Sequence, residues 1–234
     1  MPYADVGEIK LHYEIRGDGP PVVLIPGLGA DTRLFSSVVP IVAAAHQVIA
    51  VDPRGGGLSD KPRGQYSIEE MAEDFVGLFG TLGIPRADVV GYSMGGKIAQ
   101  QLAAGHPELV GHLVLCATSA SAPVTHRFSW RWFMMDVVAR LPIARRADGQ
   151  PSYAFEAQRR AANAFDGRGL LQKIEANTLI IRARRDRIVP AAASSQLQTI
   201  PRTAVVDLPG GHLTLVMVHG KALADSIVSF LGQP

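Results

Sequence analysis

Cysteine and long apolar runs are both scarce in this sequence. Its one cysteine, Cys116, has no partner for a disulfide within the chain, as is usual for proteins of a reducing cytoplasm. No stretch reaches the ~20 consecutive apolar residues that a membrane-spanning helix requires. Residues 1–19 alternate apolar and polar side chains, whereas a signal peptide would carry an apolar run there. We therefore expect a cytoplasmic protein without stable membrane association.

The excess of positive over negative charge is small as well. A formal net charge of +2 is too small to attract nucleic acid, and we expect no nucleic-acid partner. The charge is unevenly distributed, because residues 127–187 hold 13 Lys and Arg against 6 Asp and Glu. This excess predicts either a solvated basic face or an arginine, such as Arg184 or Arg185, that steers a carboxylate-bearing substrate.

Apolar residues are plentiful, since they make up 47% of 234 residues, which is enough for a sizeable buried core. Short apolar runs that predict buried strands lie at 22–26, 47–52, 87–92, 113–118, 178–183 and 204–208. Such continuous runs are typical of a parallel sheet that is covered on both faces. Residues 6–15 alternate instead, and they predict an N-terminal antiparallel hairpin.

Helical patterns separate the predicted strands. They lie at 32–45, 67–82, 94–105, 190–199 and 213–231. This alternation predicts an α/β fold with a mostly parallel, doubly wound sheet. Residues 119–169 interrupt it with helix-like segments at 127–141 and near 152–165 and no strand pattern, and a connection this long predicts a cap. The expected organisation is a core domain of residues 1–118 and 170–234 with a short helical cap at 119–169.

A serine stands between two glycines where a predicted strand passes into a predicted helix. Residues 91–95, Gly-Tyr-Ser-Met-Gly, match the pattern of a nucleophile elbow, a turn so tight that glycine is required on both sides of the serine. The alternative is an ordinary strand-to-helix turn that happens to contain serine. The context favours Ser93 as a nucleophile. Lys97, in the first turn of the helix, is interpreted as a lysine whose amine reaches solvent.

A serine hydroxyl needs a base, and the base needs an orienting group. His212 lies in a glycine-rich loop after the last predicted strand, and Asp186 directly follows the strand before it. Because sites in such sheets form at the carboxyl ends of strands, these two are the candidates for base and acid. Asp207, within a strand, and Asp166, in the predicted cap, are less well placed. The alternatives are a salt bridge between Asp186 and neighbouring arginines, and a loop histidine without function at 212.

When a serine attacks a carbonyl carbon, the carbonyl oxygen of the tetrahedral intermediate becomes negatively charged, and two N–H donors are needed to stabilise it. The N–H of Met94 begins the helix after Ser93, where the helix dipole also favours negative charge. The loop after the first parallel strand, Pro-Gly-Leu-Gly at 26–29, would supply the second donor, and we select the N–H of Leu28. Gly27 lets this loop approach the site and is a candidate substrate contact.

Five motifs resemble, in order, those of the α/β-hydrolase superfamily over nearly the whole chain: PGLGAD, VDPRGGGLSDKP, GYSMGG, RRDRIVP and PGGH. The resemblance implies the α/β-hydrolase fold and the chain order serine, acid, histidine, and hence a triad of Ser93, Asp186 and His212. Two positions depart from the family pattern. Pro26 replaces the histidine that usually helps to fix the oxyanion loop, and Gly56 replaces a histidine of the following motif.

The resemblance implies a serine hydrolase that cleaves a carboxylic ester or lactone through an acyl-enzyme, without cofactor or metal. The motifs look most like those of enol-lactonases and small-ester hydrolases, and the expected partner is a small-molecule ester or lactone. Two alternatives stay open: a C–C bond hydrolase of a β-diketone-like acid, and a hydrolase-fold ligand-binding protein without turnover. Dehalogenases and epoxide hydrolases usually carry aspartate in place of Ser93, which disfavours both.

The predicted cap helix at 127–141 is apolar over more than one face. Burial against the core is the simpler interpretation. The functional interpretation is that part of this helix roofs an acyl pocket, with Trp132 and Met135 as candidate substrate contacts. Adhesion to a membrane is a third option.

Overall fold

The computed structural model describes residues 2–121 and 149–232. Its strands are β1 (Tyr3–Asp5), β2 (Lys10–Arg16), β3 (Pro21–Ile25), β4 (Gln47–Val51), β5 (Ala87–Tyr92), β6 (Val110–Cys116), β7 (Asn177–Ala183) and β8 (Thr203–Leu208). They form one sheet in the order β1-β2-β4-β3-β5-β6-β7-β8. The strands from β3 to β8 are parallel, whereas β1 and β2 pair antiparallel. The expected mostly parallel α/β sheet with an antiparallel N-terminal hairpin is confirmed.

The strand order reverses around β3. This strand pairs with β4 on one side and with β5 on the other, so the chain crosses from one half of the sheet to the other between β4 and β5. A crevice opens at such a reversal beyond the carboxyl ends of the strands, and α/β sheets bind ligands there. The loop after β3 and the turn after β5 therefore meet at the position where a site is expected.

Seven α-helices lie in the described residues: α1 (Val39–Val42), α2 (Ile68–Leu82), α3 (Met94–Gly105), α4 (Ser152–Ala164), α5 (Ala191–Ser194), α6 (Thr214–Met217) and α7 (Gly220–Leu231). Two of the predicted helices, α2 and α3, appear with nearly the predicted bounds. The start of α2 follows from its cap, because the hydroxyl of Ser67 accepts a hydrogen bond from the N–H of Glu70 at 2.9 Å. No helix in the described ranges is long and apolar enough to cross a membrane.

The prediction of one continuous helix at 32–45 is wrong. Thr32–Phe35 form a 3₁₀ turn, and α1 starts separately at Val39. Pro40 is the physical reason, since its nitrogen carries no hydrogen for a bond to a preceding carbonyl and its ring fits only in the first turn of a helix.

The helices predicted at 190–199 and 213–231 are each divided. The first becomes α5 and a 3₁₀ turn, where the hydroxyls of Ser194 and Ser195 donate to carbonyls three residues earlier and compete with the regular helical pattern. The second becomes α6 and α7. The break lies where Ser37 packs against Gly220, since a Cβ on Gly220 would lie 2.0 Å from the Ser37 hydroxyl oxygen.

Apolar side chains pack on both faces of the sheet. Helices α2, α3 and α4 cover one face, and α1, α6 and α7 cover the other. Successive residues of a strand point to opposite faces, so Val23 of β3 joins the first layer and Val22 the second. Burial on both faces explains why the predicted strands in the middle of the sheet read as continuous apolar runs. The prediction of a buried strand at 204–208 is wrong, because β8 lies at the edge of the sheet and is partly exposed.

The predicted cap is described only in part. Helix α4 corresponds to the helical segment predicted near 152–165, and it packs directly on the core through the buried Ala157 and Ala161. The segment 127–141, which contains Trp132 and Met135, lies outside the described residues. The division into a core domain and a cap at 119–169 therefore stays a prediction.

Candidate active site

Ser93 occupies a strained turn between β5 and α3. Its φ of 54° and ψ of −113° lie outside the regions that residues with a side chain favour, and such a conformation costs ~1–3 kcal/mol. Both flanking glycines are required there. A Cβ on Gly91 would lie 2.5 Å from the carbonyl oxygen of Gly95, and a Cβ on Gly95 would lie 2.1 Å from that of Ile25. The turn is too tight for a side chain at either flank, which distinguishes it from an ordinary strand-to-helix turn.

Hydrogen bonds on both sides of Ser93 hold this conformation. Its N–H donates to the carbonyl of Cys116 at 2.9 Å, and its carbonyl accepts from the N–H of Gly96 at 3.0 Å. The hydroxyl of Thr118 donates a second bond to the same carbonyl at 2.7 Å. The surrounding structure thus overdetermines the strained backbone, while the residue itself stays partly accessible to solvent.

Ser93, His212 and Asp186 form a continuous hydrogen-bond chain. Oγ of Ser93 lies 3.0 Å from Nε2 of His212, and Nδ1 of His212 lies 2.8 Å from Oδ2 of Asp186. Because a carboxylate only accepts, Nδ1 carries the ring hydrogen and Nε2 is left as the acceptor for the serine proton. This is the tautomer that a general base requires.

The loop after β7 holds Asp186 in place. Its Oδ1 accepts from the N–H groups of Ile188 and Val189, both at 2.8 Å. These backbone donors leave Oδ2 directed at His212, with which Asp186 is paired. The neighbouring Arg184 and Arg185 are exposed, so the carboxylate of Asp186 faces the imidazole and the arginine side chains face solvent.

Tyr92, which the sequence did not single out, supports His212. Its hydroxyl donates to the backbone carbonyl of His212, and the two rings meet edge to face with centroids 5.8 Å apart. Burial raises the pKa of Tyr92 well above its usual range, so the hydroxyl remains a donor at alkaline pH. A signal was present, because a tyrosine at the end of a buried strand needs a partner for its hydroxyl.

Two other acids and two other histidines of the described residues lie elsewhere. Asp207 forms a two-point ion pair with Arg182, with contacts of 2.6 and 2.8 Å. Asp166 is exposed. His106 follows the end of α3, and His112 lies near the amino end of β6, on the side of the sheet opposite to the loop of Ser93.

The loop after β3 forms a turn with type II features beside Ser93. The N–H of Ala30 donates to the carbonyl of Gly27 at 3.1 Å, and Gly29, at the third position, has the positive φ of 71° that this turn requires. In a trans peptide the carbonyl and the N–H point in opposite directions. The N–H of Leu28 is therefore directed away from the turn. Gly27 abuts the nucleophile, because a Cβ there would lie 3.1 Å from Cβ of Ser93.

Met94 provides the second expected donor position. It is the first residue of α3, and the N–H of a first helical residue has no acceptor within its helix. The N–H groups of Leu28 and Met94 thus belong to the two segments that meet at Ser93.

The loop after β4 braces the turn that carries Leu28. The buried Asp52 accepts from the N–H of Thr32 at 2.7 Å and from Nδ1 of His12 at 2.8 Å. Gly56 lies against the same turn, since a Cβ there would lie 3.2 Å from the carbonyl oxygen of Ala30. The turn therefore leaves little room for a side chain at position 56, where the family usually has histidine.

Lys97 is buried, and the interpretation that its amine reaches solvent is wrong. Nζ donates to the carbonyl of Ala162 in α4 at 2.7 Å and lies 5.8 Å from the ring centre of Phe165. Burial lowers the pKa of Lys97 to about 8. The lysine therefore links the helix after the nucleophile to α4.

Of the candidate substrate contacts, Gly27 lies at the nucleophile, whereas Trp132 and Met135 lie outside the described residues. Within residues 2–121 and 149–232, no group of three or more His, Cys, Asp and Glu side chains could hold a metal ion.

The chain is similar to known hydrolases. Residues 20–165 match the family model described as the alpha/beta hydrolase fold. RutD of Variovorax paradoxus (strain S110), named as a proposed carbamate hydrolase, is 33% identical over 97% of this chain and 100% of its own. The 2-hydroxymuconate semialdehyde hydrolase of Pseudomonas sp. (strain CF600) is 29% identical over 96% of this chain and 91% of its own. The enol-lactonase from Burkholderia xenovorans LB400 superposes with a TM-score of 0.87 at 29% identity, covering 99% of this chain and 100% of that chain.

Proposed function

The chain belongs to the alpha/beta hydrolase fold family, and on that premise we propose that this hydrolase cleaves a carboxylic ester or lactone with Ser93 as its nucleophile. The observation that carries the proposal is the hydrogen-bond chain from Ser93 through His212 to Asp186, with contacts of 3.0 and 2.8 Å. The strain at Ser93 supports it, because strain of this kind clusters at active sites. The similarity to an enol-lactonase favours the ester and lactone class.

In the first half of the reaction, Oγ of Ser93 attacks the carbonyl carbon while its proton passes to Nε2 of His212. Asp186 keeps the imidazole in the required tautomer and stabilises the imidazolium. The carbonyl oxygen becomes an oxyanion that accepts from the N–H groups of Leu28 and Met94, and loss of one such donor typically costs ~3–4 kcal/mol. Collapse of the intermediate breaks the C–O bond, and the leaving alcohol takes the proton from His212.

In the second half, water replaces the alcohol. His212 accepts a proton from the water as it attacks the acyl group on Ser93, and the same two N–H groups hold the second oxyanion. The acid is then released and the serine regains its proton. Gly27 has no side chain between the turn and Ser93, which leaves room for the substrate carbonyl beside the Leu28 N–H.

Hydrolysis of a C–C bond is the second candidate. It uses the same three side chains, and the similarity to a semialdehyde hydrolase that spans nearly the whole chain favours it. The exposed Arg184 and Arg185 beside the acid loop would attract an anionic substrate of this kind. The similarity to RutD adds carbamates to the substrates worth testing.

A substrate panel distinguishes these reactions. The purified protein is assayed with p-nitrophenyl esters of increasing acyl length, lactones, carbamates and diketone acids, with Ser93→Ala as the matched control. We expect the highest kcat/KM for an ester or lactone and no turnover by the variant. A preference for the diketone acids would assign C–C hydrolysis instead, and binding without turnover in the wild type would make this a ligand-binding protein.

A further inference from the structure

Gln158 is a fully buried amide at the contact between α4 and the loop after β3. Its Oε1 accepts from the N–H of Gly29 at 3.2 Å, and its Nε2 donates to the carbonyl of Arg54 at 2.8 Å. A backbone N–H only donates and a carbonyl only accepts, so one orientation of the amide satisfies both groups. The side chain of Gln150 donates a further bond to the same Oε1 at 2.9 Å.

One face of α4 carries this contact. Phe155 and Gln158 are three residues apart and share a face of the helix. Both touch the turn, because a Cβ on Gly29 would lie 2.8 Å from the ring of Phe155. One turn further along, the carbonyl of Ala162 accepts from Lys97 of α3. Helix α4 is thus joined both to the turn of Leu28 and to the helix that follows the nucleophile.

The N–H of Gly29 belongs to the central peptide of that turn. Type I and type II turns differ by a flip of this peptide, so a bond to its N–H selects one of the two. The preceding Pro26 has neither an N–H nor a polar side chain with which to fix the loop. We propose that Gln158 is a positioning residue: by holding the Leu28–Gly29 peptide, it keeps the turn, and with it the neighbouring N–H of Leu28, in place beside Ser93.

This role rests on the proposed function, because it concerns the donor from Leu28. A purely structural role would be different, since Gln158 would then only anchor α4. Gln158→Met keeps the length and volume of the side chain and removes its three hydrogen bonds. Ala161→Gly is the matched control, because this buried residue lies on the same helix without a hydrogen bond to the turn, and glycine weakens the helix.

The first measurement compares kinetics of the two variants with the wild type, below the unfolding transition of each. We expect Gln158→Met to lower kcat for p-nitrophenyl butyrate by about 10- to 100-fold with little change in KM. The reason is that a displaced Leu28 N–H loses a hydrogen bond to the oxyanion, which is formed in the transition state and not in the substrate complex. Inhibition by phenylboronic acid, whose tetrahedral adduct resembles the intermediate, should weaken by a similar factor. Ala161→Gly should keep both values. An unchanged kcat in Gln158→Met, or an equal loss in both variants, overturns the positioning role.

The second measurement does not depend on activity. Hydrogen exchange of the Gly29 amide should be at least about tenfold faster in Gln158→Met than in the wild type and unchanged in Ala161→Gly, because removal of a hydrogen-bond partner exposes the amide to solvent. If the wild type neither hydrolyses esters nor binds the boronate, the proposed function fails, and exchange at Gly29 alone decides whether Gln158 holds the turn. Unchanged exchange at Gly29 overturns the role of Gln158 even in an active enzyme.

Discussion

Tyr92 and His212 are joined by a hydrogen bond from the tyrosine hydroxyl to the backbone carbonyl of the histidine. The next residue, Ser93, contacts the ring of the same histidine at Nε2. Two consecutive residues of one tight turn therefore hold both the backbone and the ring of His212. The position of the proposed base is set by the same segment that presents the proposed nucleophile.

Tyr92→Phe tests this support. The change keeps the ring and removes the hydroxyl, so the buried carbonyl of His212 loses its donor. We expect a loss of ~1–2 kcal/mol in the free energy of unfolding and a fall in kcat of about tenfold, because the base is less well placed. Phe35→Leu, which alters the apolar packing beside the Tyr92 ring, should destabilise comparably without the loss in kcat. Equal kcat for Tyr92→Phe and the wild type would remove Tyr92 from the account.

The strained turn predicts an unusual order of stabilities. Alanine at position 93 keeps the strain, because its Cβ meets the same restriction at a φ of 54°, whereas glycine adopts this conformation freely. Ser93→Gly should therefore unfold at higher urea concentration than Ser93→Ala, by ~1 kcal/mol or more in the free energy of unfolding. In an ordinary turn or helix the order would be reversed, and a less stable Ser93→Gly would show that the turn is not strained.

The assignment of the acid is tested by two matched variants. Asp186→Asn keeps the size of the side chain but can donate to Nδ1 of His212 and so stabilise the wrong tautomer, and kcat should fall by about 10⁴-fold. Asp207→Asn removes the pairing with Arg182 at the exposed edge of the sheet and should change kcat little. Steady-state kinetics on one ester decides between them, and a larger loss in Asp207→Asn would move the acid to that position.

The burial of Lys97 predicts how folding stability depends on pH. Its pKa is lowered to about 8 from the usual 10.5, so between these values the Lys97 amine binds more proton in the unfolded chain than in the folded protein, and the contribution of Lys97 to stability should rise with pH in that window. The rise is at most ~3 kcal/mol. In Lys97→Met the contribution is absent, so the difference in denaturation midpoint between variant and wild type should change steadily from pH 8 to pH 10. Parallel curves would mean that the buried amine keeps its ordinary pKa.

The fold and the candidate site were predictable where one segment of sequence determines the outcome. The apolar runs predicted the parallel strands, because burial on both faces of a sheet leaves no polar alternation. The loops that hold Ser93, Asp186 and His212 follow strands whose carboxyl ends share one edge, so placing the strands also placed the three side chains.

The contacts that were missed join segments far apart in the chain. Tyr92 and His212 are separated by 120 positions, and Gly29 and Gln158 by 129, so neither pair leaves a local pattern. The buried Lys97 has the same origin, since its partner is a carbonyl of α4. The break between α6 and α7 lies where the distant Ser37 donates to the carbonyl of Val216, and its local signal is Gly220, a residue with low helix propensity.

The most direct test of the central claim is the site of covalent labelling by a p-nitrophenyl alkylphosphonate, mapped by mass spectrometry of peptides from the wild type and from Ser93→Ala. The reagent reacts with an activated serine and leaves a tetrahedral phosphorus centre at the position of the carbonyl carbon. We predict one adduct, on Ser93, with ester hydrolysis lost in proportion to labelling and no adduct in Ser93→Ala. Labelling of another residue, or ester hydrolysis by Ser93→Ala above about a thousandth of the wild-type kcat, would contradict the account.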